Sequence, residues 1–559
     1  MLAAASTIPS PPSLGNPIPP LPHAISVQLP TWQDVVDFAR GATRIRSIQQ
    51  GGYPRSFLHR DIEILHEICV CKFARAGDTC LLLPWTRDAM ACEEYIRRAP
   101  PPPGEKKLGD KDVRRQPLAA HVRVPPGSDN IGVVALSAVF FPKRFLKVGM
   151  QFWRLTGLGI SSRMAEDILR GREDQVSIAE SIDSYPAQRE WPTSPAGAEA
   201  ALAIQHRVAE LLERSPVGGP RSPLVDPDDV FLFPTGMAAI YHLTRSLRDW
   251  PGTKVVVFGF PYEVTLKAKQ VFGKDCVFYG FGTLSEMELL EDYVYMLSQQ
   301  DETIQYVWCE CASNPLLQTV DLDRMRRLAD RYGFPLIVDD TIGCSANVDV
   351  LGVADMVVTS LTKSFSGYAD VMGGSIALNP RSRYYERSQD SIIYEYSCRL
   401  YDGDAIKLEA NSRNILSRCA KTNDNALRLV TFLQRYARDP THPLRQVYHP
   451  STSTWSRANY EARMRPPTAE FEPGYGSLFT LEFDTVASSE RFFNALDVCK
   501  GPSIGANFTL ALPYCEVVFA QEKDWAAQYG VRETIVRVSV GLEDADFLLD
   551  KFSEAMNVF

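Results

Sequence analysis

Short apolar runs alternate with helical patterns through the middle of this chain, and that alternation limits the folds it can adopt. The runs are rich in β-branched residues and occupy positions 230–234, 254–258, 306–309, 335–338, 356–359 and 375–378. One of the intervening helical patterns has Asp321 to cap it and Gly333 to end it. Strands that alternate with helices build a mostly parallel sheet covered by helices. We therefore predict an α/β fold whose ligands bind beyond the carboxyl ends of the strands.

The chain has 559 residues, more than one ordinary domain holds. Residues 1–30 are rich in Pro, Ala and Ser, and we predict a disordered leader there. We predict an N-terminal extension domain over 31–145, a large domain over 146–380 and a smaller C-terminal domain over 381–559. A proline run followed by a charged stretch interrupts the extension and predicts a loop.

Composition and charge argue against several classes of function. The formal net charge is −9 at pH 7, so the chain lacks the basic surplus of a nucleic-acid-binding protein. No apolar run is long enough to span a bilayer, and the start has neither a charged secretory beginning nor an Arg-rich face. We expect a cytoplasmic protein that binds no nucleic acid and no membrane, with its 12 cysteines reduced. The histidines show no HExxH order, so we predict no metal site.

Residues that directly follow the predicted strands are the candidates for chemistry. Gly236 and Met237 follow the first strand and open a helix, whose free amides suit a phosphate, although a plain strand–helix turn has the same pattern. Asn314 follows the third strand and Asp339 the fourth. Lys363 follows the fifth. Because the carboxyl ends of parallel strands meet at one edge, we expect these side chains to converge.

Lys363 lies in the strongest of these patterns. A lysine directly after a buried strand is costly unless it is paired or chemically used, and such an amine can attack an aldehyde. The hydroxyls of Ser360 and Thr362 flank it and can reach a phosphate. Asp339 ends the preceding strand, where its carboxylate can hold a protonated ring nitrogen. This set of groups predicts pyridoxal 5'-phosphate (PLP) as the cofactor.

Five motifs follow one another along the chain: FPTGMAAIYHL, CECASNPLLQTVDL, IVDDTIG, SLTKSFSGYADVMGG and VRVSVGLED. Together they resemble the cystathionine γ-synthase group of PLP enzymes from cysteine and methionine metabolism. GNPIPPLPHAISVQLPTW, GGYPRSFLHRDIEIL and GPSIGANFTL resemble fungal members, so the likeness covers nearly the whole chain. It implies a fold type I architecture: a large domain with a mostly parallel seven-stranded sheet, a smaller α+β C-terminal domain and an N-terminal extension.

The resemblance also implies roles for the matching cofactor residues. Lys363 would hold PLP as a Schiff base and move protons, and Asp339 would pair with the pyridine nitrogen. Tyr262 would stack on the ring and take part in catalysis. The phosphate would be bound by Gly236, Met237, Ser360 and Thr362.

On the substrate side, the resemblance assigns Asn314, Ser503 and Arg537 to the carboxylate. A guanidinium suits that task because it grips a carboxylate through two parallel hydrogen bonds. The family also has an aromatic-x-Arg segment that reaches a neighbouring subunit's phosphate. We expect it within 183–192, where Tyr185 and Arg189 have the right residue types at the wrong spacing. Either a loop brings them into the cofactor site, or this contact is lost.

The implied reaction is γ-replacement on an O-acylhomoserine, with cysteine as the nucleophile and cystathionine as the product. The altered 183–192 segment favours an alternative, in which a carbon or amine nucleophile is used in a specialised fungal pathway. γ-Elimination without an acceptor is a further variant. A non-catalytic assembly subunit is the alternative of another class, against which the intact Lys363, Asp339, Tyr262 and Arg537 argue. The resemblance implies a homodimer or homotetramer.

Overall fold

The computed structural model describes residues 10–123, 131–170, 176–178, 194–396 and 399–559. The elements of the N-terminal part are β1 (Pro17–Ile18), β2 (Ser26–Val27), α1 (Trp32–Ala39), α2 (Thr43–Arg46), α3 (Arg60–Phe73), β3 (Asp78–Leu83), α4 (Thr86–Arg98), β4 (Arg114–Arg123), β5 (Ile131–Pro142), a 3-10 helix (Lys143–Phe145), α5 (Leu146–Thr156), α6 (Ser162–Leu169) and β6 (Val176–Ile178). Strands β3, β5, β4 and β6 form an antiparallel sheet in that order. Because Val176 pairs with Ala120, this sheet continues past the predicted domain boundary at residue 145.

The middle of the chain is the predicted α/β layer. Its elements are α7 (Pro195–Glu213), a 3-10 helix (Pro227–Asp229), β7 (Val230–Phe233), α8 (Gly236–Ser246), β8 (Lys254–Phe258), α9 (Glu263–Phe272), β9 (Asp275–Tyr279), α10 (Leu284–Ser298), β10 (Tyr306–Glu310), α11 (Leu322–Tyr332), β11 (Leu336–Asp339), β12 (Met356–Thr359) and β13 (Gly374–Leu378). They form a seven-stranded sheet in the order β7-β13-β12-β11-β10-β8-β9. Neighbouring strands from β12 to β9 pair in parallel, and β13 runs antiparallel to both of its neighbours. The predicted fold class is thereby confirmed.

Helix α11 begins and ends at the residues that the sequence pattern predicts. The Asp321 side chain accepts a hydrogen bond from the Arg324 amide at its start, and Gly333 ends it at φ 76°. That left-handed conformation favours glycine, and strand β11 follows at Leu336. Strand β9 was not predicted from the sequence. It lies at the edge of the sheet and its residues are only partly buried, so it lacks a continuous apolar run.

The C-terminal part carries a second sheet. Its elements are α12 (Tyr385–Glu395), α13 (Asp402–Ser412), α14 (Ile415–Ala437), β14 (Leu444–Tyr448), α15 (Arg457–Arg463), β15 (Leu478–Phe483), α16 (Val486–Ala495), β16 (Cys499–Lys500), β17 (Leu510–Leu512), α17 (Tyr514–Val518), α18 (Lys523–Gln528), β18 (Ile535–Ser539) and α19 (Ala545–Met556). The five strands lie in the order β14-β15-β18-β17-β16, and only the short β16–β17 pair is parallel. Helix α19 contacts α14 and α16, and these two helices pack on the sheet, as expected for an α+β domain.

The prediction of a disordered leader is wrong for residues 10–30. Strands β1 and β2 pair there, and Ile18, Ile25, Val27 and Leu29 are buried. Their burial repays the entropy of ordering the segment, which the Pro, Ala and Ser content had obscured. Residues 1–9 lie outside the described part.

The described residues contain neither a membrane-spanning helix nor a metal-binding cluster. No helix there combines the length and the apolar character that a membrane span requires. No cluster of three or more His, Cys, Asp or Glu side chains in the described ranges has the geometry to hold a metal ion.

Candidate active site

A cavity of about 400 Å³ lies at the carboxyl edge of the seven-stranded sheet, between the sheet and the C-terminal part. It brings together the ten predicted site residues that are described: Gly236, Met237, Tyr262, Asn314, Asp339, Ser360, Thr362, Lys363, Ser503 and Arg537. Tyr185 and Arg189 lie outside the described residues. The expectation that the strand-end side chains converge at one edge therefore holds for the geometry of the site.

Lys363 points its amine into this cavity. The Nζ atom donates to the hydroxyl of Tyr53 at 3.2 Å and to the hydroxyl of Ser503 at 3.3 Å, and the side chain is buried. The loop that follows Lys363 is fixed by Arg418, whose guanidinium donates to the carbonyls of Ser364 and Phe365. The backbone of Lys363 is therefore fixed. Because its amine is hydrogen-bonded to hydroxyls and pairs with no carboxylate of the described residues, it can bond to a carbonyl group in the cavity.

Asp339 and Glu310 place two carboxyl groups side by side. They end the neighbouring parallel strands β11 and β10, where they are register partners, and both are buried. Burial raises the pKa of Asp339 to about 7, although hydrogen bonds from Thr341 pull it down. Burial and the charge of Asp339 raise the pKa of Glu310 well above its usual range. A cationic ring nitrogen beside Asp339 would relieve this cost, since an opposite charge favours the ionised carboxylate.

The start of helix α8 lines one end of the cavity. The Thr235 hydroxyl caps the helix by accepting from the Ala238 amide at 2.9 Å. The first amides of a helix have no acceptor within it and lie at its positive end, so Gly236 and Met237 can donate to an anion. A Cβ atom at Gly236 would come within 2.8 Å of the Ser360 side chain. Glycine is therefore required for this close approach.

Thr362 lines the same end, but its hydroxyl is engaged elsewhere. Its Oγ1 atom donates to the carbonyl of Gly373 and accepts from the amide of Gly373, both at 3.1 Å. That pair of bonds fixes the loop that carries Lys363. The hydroxyl keeps only acceptor capacity beyond them, so Ser360 is the better placed of the two predicted phosphate donors.

Arg537 lies at the opposite end, on strand β18. Its guanidinium donates to Asn314 Oδ1 at 3.0 Å and to the Ser503 carbonyl at 3.3 Å, and it stacks 4.5 Å from the centre of the Tyr514 ring. In the part of the chain that the structure describes, no carboxylate pairs with it. Burial lowers the pKa of Arg537. A buried guanidinium with polar neighbours and no counter-ion is suited to bind a substrate carboxylate.

Tyr262 is positioned through its backbone. Its amide donates to both carboxylate oxygens of Glu310, at 2.9 and 3.0 Å, and helix α9 begins at the next residue. Burial, with Tyr53 beside it, raises the pKa of the Tyr262 hydroxyl well above its usual range. The ring thus lies over the cavity as an uncharged aromatic wall.

Comparison with known proteins decides the family. The family model described as Cys/Met metabolism PLP-dependent enzyme matches residues 222–557, and the model described as fungal trans-sulfuration enzyme, N-terminal domain, matches residues 61–161. The chain belongs to the Cys/Met metabolism PLP-dependent family. It is a PLP-dependent enzyme, as the sequence predicts.

Two curated relatives span nearly the whole of this family member. The chain is 36% identical to the alanine racemase ungC of Aspergillus violaceofuscus, over 97% of this chain and 96% of that protein. It is 33% identical to the cystathionine γ-synthase of Neurospora crassa, over 98% of both chains. In fold it is similar to the crystal structure of cystathionine γ-synthase from Xanthomonas oryzae pv. oryzae in complex with aminoacrylate and cysteine, with a TM-score of 0.53 and 20% identity over 67% of this chain and 90% of that chain.

The N-terminal segment supplies two site residues that the sequence analysis missed. Tyr53-Pro54-Arg55 lines the cavity and has the aromatic-x-Arg spacing that we expected within 183–192. The Arg55 guanidinium donates to the Trp153 carbonyl at 2.9 Å and stacks 4.6 Å from the Trp153 ring centre. Burial lowers its pKa to about 10. The motif was visible in GGYPRS, but it precedes the predicted sheet and no strand end marked it.

Residues 25–29 support the loop that carries Ser503. The Leu29 amide donates to the Lys500 carbonyl at 2.8 Å, and the Lys500 amide donates to the Gln28 side chain at 2.9 Å. A Cβ atom at Gly501 would come within 2.2 Å of the Val27 carbonyl oxygen. This contact leads directly into the loop of Ser503, whose φ of 118° is unusual for a residue other than glycine.

The residues present fit the PLP of the family. The site combines an amine on Lys363, a buried carboxyl on Asp339 that makes no ion pair with the described residues, the open amides of α8 and the buried guanidinium of Arg55. These are the groups that an aldehyde, a ring nitrogen and a phosphate require.

Proposed function

We propose that this enzyme catalyses γ-replacement on an O-acylhomoserine, with cysteine as the nucleophile and cystathionine as the product. The observation that carries the proposal is the position of Lys363. Its amine lies within 3.3 Å of the hydroxyls of Tyr53 and Ser503. It shares one cavity with the guanidinium of Arg537, which has no carboxylate partner among the described residues. An amino-acid substrate whose carboxylate pairs with Arg537 is thereby held beside a group that can move protons.

The cofactor residues keep the roles predicted for them. Lys363 would hold PLP, and Asp339 would pair with its ring nitrogen. Tyr262 would cover one face of the ring. The phosphate would be bound by the amides of Gly236 and Met237, the hydroxyl of Ser360 and the guanidinium of Arg55, with Thr362 fixing the loop.

When bound, PLP supplies an electron sink for negative charge at the substrate's Cα. Lys363 Nζ would take the proton from Cα, pass it on and then take one from Cβ, and the acyloxy group would leave from Cγ as a carboxylate. The cysteine sulfur would bond to Cγ as its thiol proton is lost, and protons would return to Cβ and Cα. The Tyr53 hydroxyl, 3.2 Å from Nζ, can pass protons to and from the amine. Burial raises the pKa of Tyr53, but the charge and hydrogen bond of Lys363, the hydrogen bond with Tyr262 and the charge of Arg55 together lower it by more, which eases this transfer. Arg537, Asn314 and Ser503 hold the carboxylate still while these protons move.

Product identification tests the proposal. The PLP-loaded protein is incubated with O-acetylhomoserine or O-succinylhomoserine and cysteine, and cystathionine is measured by mass spectrometry. We expect cystathionine in at least one of the two reactions. Consumption of the donor without cystathionine, in the presence of saturating cysteine, would contradict it.

A second candidate is γ-substitution with a carbon or amine nucleophile, in the manner of a specialised fungal pathway. The altered 183–192 segment motivates it, and a relative that is 36% identical carries a name, alanine racemase, for a reaction other than cystathionine formation. A panel of carbon, amine and thiol nucleophiles separates the two. Release of 2-oxobutanoate and ammonia without any acceptor would indicate γ-elimination instead.

The assembly and location predicted from the sequence stay predictions. A homodimer or homotetramer is part of the proposal, and light scattering of the purified protein checks it. The cytoplasmic location, and binding of neither nucleic acid nor membrane, rest on composition alone.

A further inference from the structure

Two buried thiols that belong to none of the cofactor or substrate groups lie in contact. Cys344 lies in the loop that follows strand β11, and Cys419 lies in the second turn of helix α14. Their Sγ atoms are 3.9 Å apart, although the two residues are 75 positions apart in the sequence. The residues are 7% and 5% exposed, and both are free thiols. The fold therefore places two oxidisable groups side by side.

The two thiols are chemically unequal. The hydrogen bond from the Cys344 thiol and the charge of Arg418 lower the pKa of Cys419 against the effect of burial. The same hydrogen bond and burial raise the pKa of Cys344. Cys419 therefore has the greater thiolate character and is the nucleophile of the pair, since the thiolate is the form that attacks an oxidant. Cys344 lies against it and is placed to react in a second step.

Cys419 is coupled to the loop of Lys363 through its neighbour in the chain. The Arg418 guanidinium donates to the two carbonyls that follow Lys363, at 2.9 and 2.8 Å. A Cβ atom at Gly367, in the same loop, would come within 1.9 Å of an Arg418 guanidinium nitrogen. Because close-packed atoms transmit a displacement, a movement of this turn of α14 also moves the loop that carries Lys363.

Cys344 lies on the more rigid side of the pair. Its amide donates to the Asp340 carbonyl at 2.7 Å, and the Gly343 amide donates to the Cys311 carbonyl at 2.8 Å. A Cβ atom at Gly343 would come within 2.6 Å of that carbonyl oxygen, so the loop has little room to move. A bond between the two sulfur atoms would therefore draw α14 towards the loop.

We propose that Cys344 and Cys419 form a site of oxidative modification, at which hydrogen peroxide converts the two thiols to a disulfide and slows the reaction at Lys363. The Cys419 sulfur attacks the O–O bond and becomes a sulfenic acid, and the other peroxide oxygen leaves as water. The Cys344 sulfur then attacks the sulfenic sulfur, whose hydroxyl leaves as a second water. The two thiol protons leave with these waters, so that two thiols are oxidised and one peroxide is reduced.

Peptide mapping of the oxidised protein tests the site without reference to its reaction. The PLP-loaded protein is treated with hydrogen peroxide, denatured, alkylated at its remaining thiols and digested without a reducing agent. We expect a peptide pair that joins Cys344 to Cys419 and that dithiothreitol separates. Alkylated thiols at both positions, a link between other cysteines, or sulfinic acids without a link would overturn the proposal.

The effect on Lys363 has its own readout. We expect oxidation to lower the rate of donor consumption about tenfold and to change the cofactor absorbance, because the loop that holds the amine is displaced. Dithiothreitol should restore both. The absorbance reports this change even if the protein consumes neither acylhomoserine, so a failure of the proposed function is distinguishable.

Matched variants assign the effect to the pair. Cys344→Ala and Cys419→Ala should keep the activity of the reduced protein and resist the reversible loss. Cys80→Ala, which removes a buried thiol of the N-terminal sheet, should respond to peroxide as the wild type does. A reversible loss of the same size in Cys344→Ala, or a linked protein with unchanged rate and absorbance, would contradict the coupling.

Discussion

The two walls of the active-site cavity come from regions of very different character. The sheet edge supplies Lys363, Asp339 and the start of α8 from one continuous α/β stretch, and each of these groups stands at the end of a strand. The N-terminal segment supplies Tyr53 and Arg55 from a stretch that has little regular structure. Upstream of them, residues 25–29 of the same segment pack against residues near Lys500 in the C-terminal part. The first wall is therefore a property of a layered fold, whereas the second exists only after distant parts of the chain have met.

Loss of the sheet-edge amine should have the largest effect. We expect Lys363→Ala to lower kcat by about four orders of magnitude, because both proton transfers and cofactor attachment depend on Nζ. Steady-state rates of donor consumption measure it, with Lys551→Ala on helix α19 as the surface control. Residual activity above about 1% would show that another group carries the chemistry.

Asp339→Asn probes the same wall through charge. We expect kcat to fall by about two to three orders of magnitude, because an amide cannot stabilise a protonated ring nitrogen. The Asp339 pKa of about 7 in the folded protein lies above the usual 3.8, so the folded apoprotein keeps a proton that the unfolded chain releases.

The free energy of unfolding of the apoprotein should therefore fall as pH rises from about 4 to about 7, and this fall should shrink in Asp339→Asn. Urea unfolding of the apoproteins at several pH values measures it. Identical pH profiles for the two proteins would contradict the assigned environment of Asp339.

Arg55→Ala tests whether the N-terminal wall contributes to cofactor binding. We expect PLP to bind about a hundredfold more weakly, because a buried guanidinium is lost from the phosphate end, while Arg55→Lys recovers part of the affinity. Dialysis against PLP followed by absorbance measures the dissociation constant. If Arg55→Ala retains the wild-type affinity for PLP, then the sheet edge alone binds the cofactor and the N-terminal wall does not contribute to its binding.

Gly501→Ala should have the smallest effect of the series. Its Cβ atom would collide with the Val27 carbonyl and push residues 25–29 away from the Ser503 loop. We expect KM for the amino-acid donor to rise about fivefold, with PLP affinity unchanged, because the disturbed Ser503 loop would hold the substrate carboxylate, whereas Arg55 on the cofactor phosphate is not displaced. An unchanged KM would show that the N-terminal segment does not position Ser503.

The sheet could be predicted because its strands are buried on both faces. Six of its strands appear in the sequence as apolar runs, with bounds within one residue of those observed. Strand β9 could not be found in this way, since an edge strand with partly exposed residues leaves no such run. Because ligands of such sheets bind beyond the carboxyl ends of the strands, the residues after these strands could be predicted to lie together. Gly236, Asn314, Asp339 and Lys363 all line the cavity.

The N-terminal wall could not be predicted by the same reasoning. Residues 10–30 resemble a flexible leader in composition, and only their contacts with the C-terminal sheet show why Ile18, Val27 and Leu29 are buried. Tyr53 and Arg55 have the expected spacing, but they lie far upstream of the 183–192 segment, which precedes α7 and in which the motif was predicted. Nothing in local periodicity says that a segment so far upstream returns to the cofactor site.

The attachment of the cofactor to Lys363, between these two walls, is the central claim and has a direct test. The PLP-loaded protein is reduced with borohydride and digested, and the labelled peptide is sequenced by mass spectrometry. The structure predicts one pyridoxyl label, on Lys363. A label on another lysine, such as the buried Lys269, or no label on a protein that retains PLP, would contradict it.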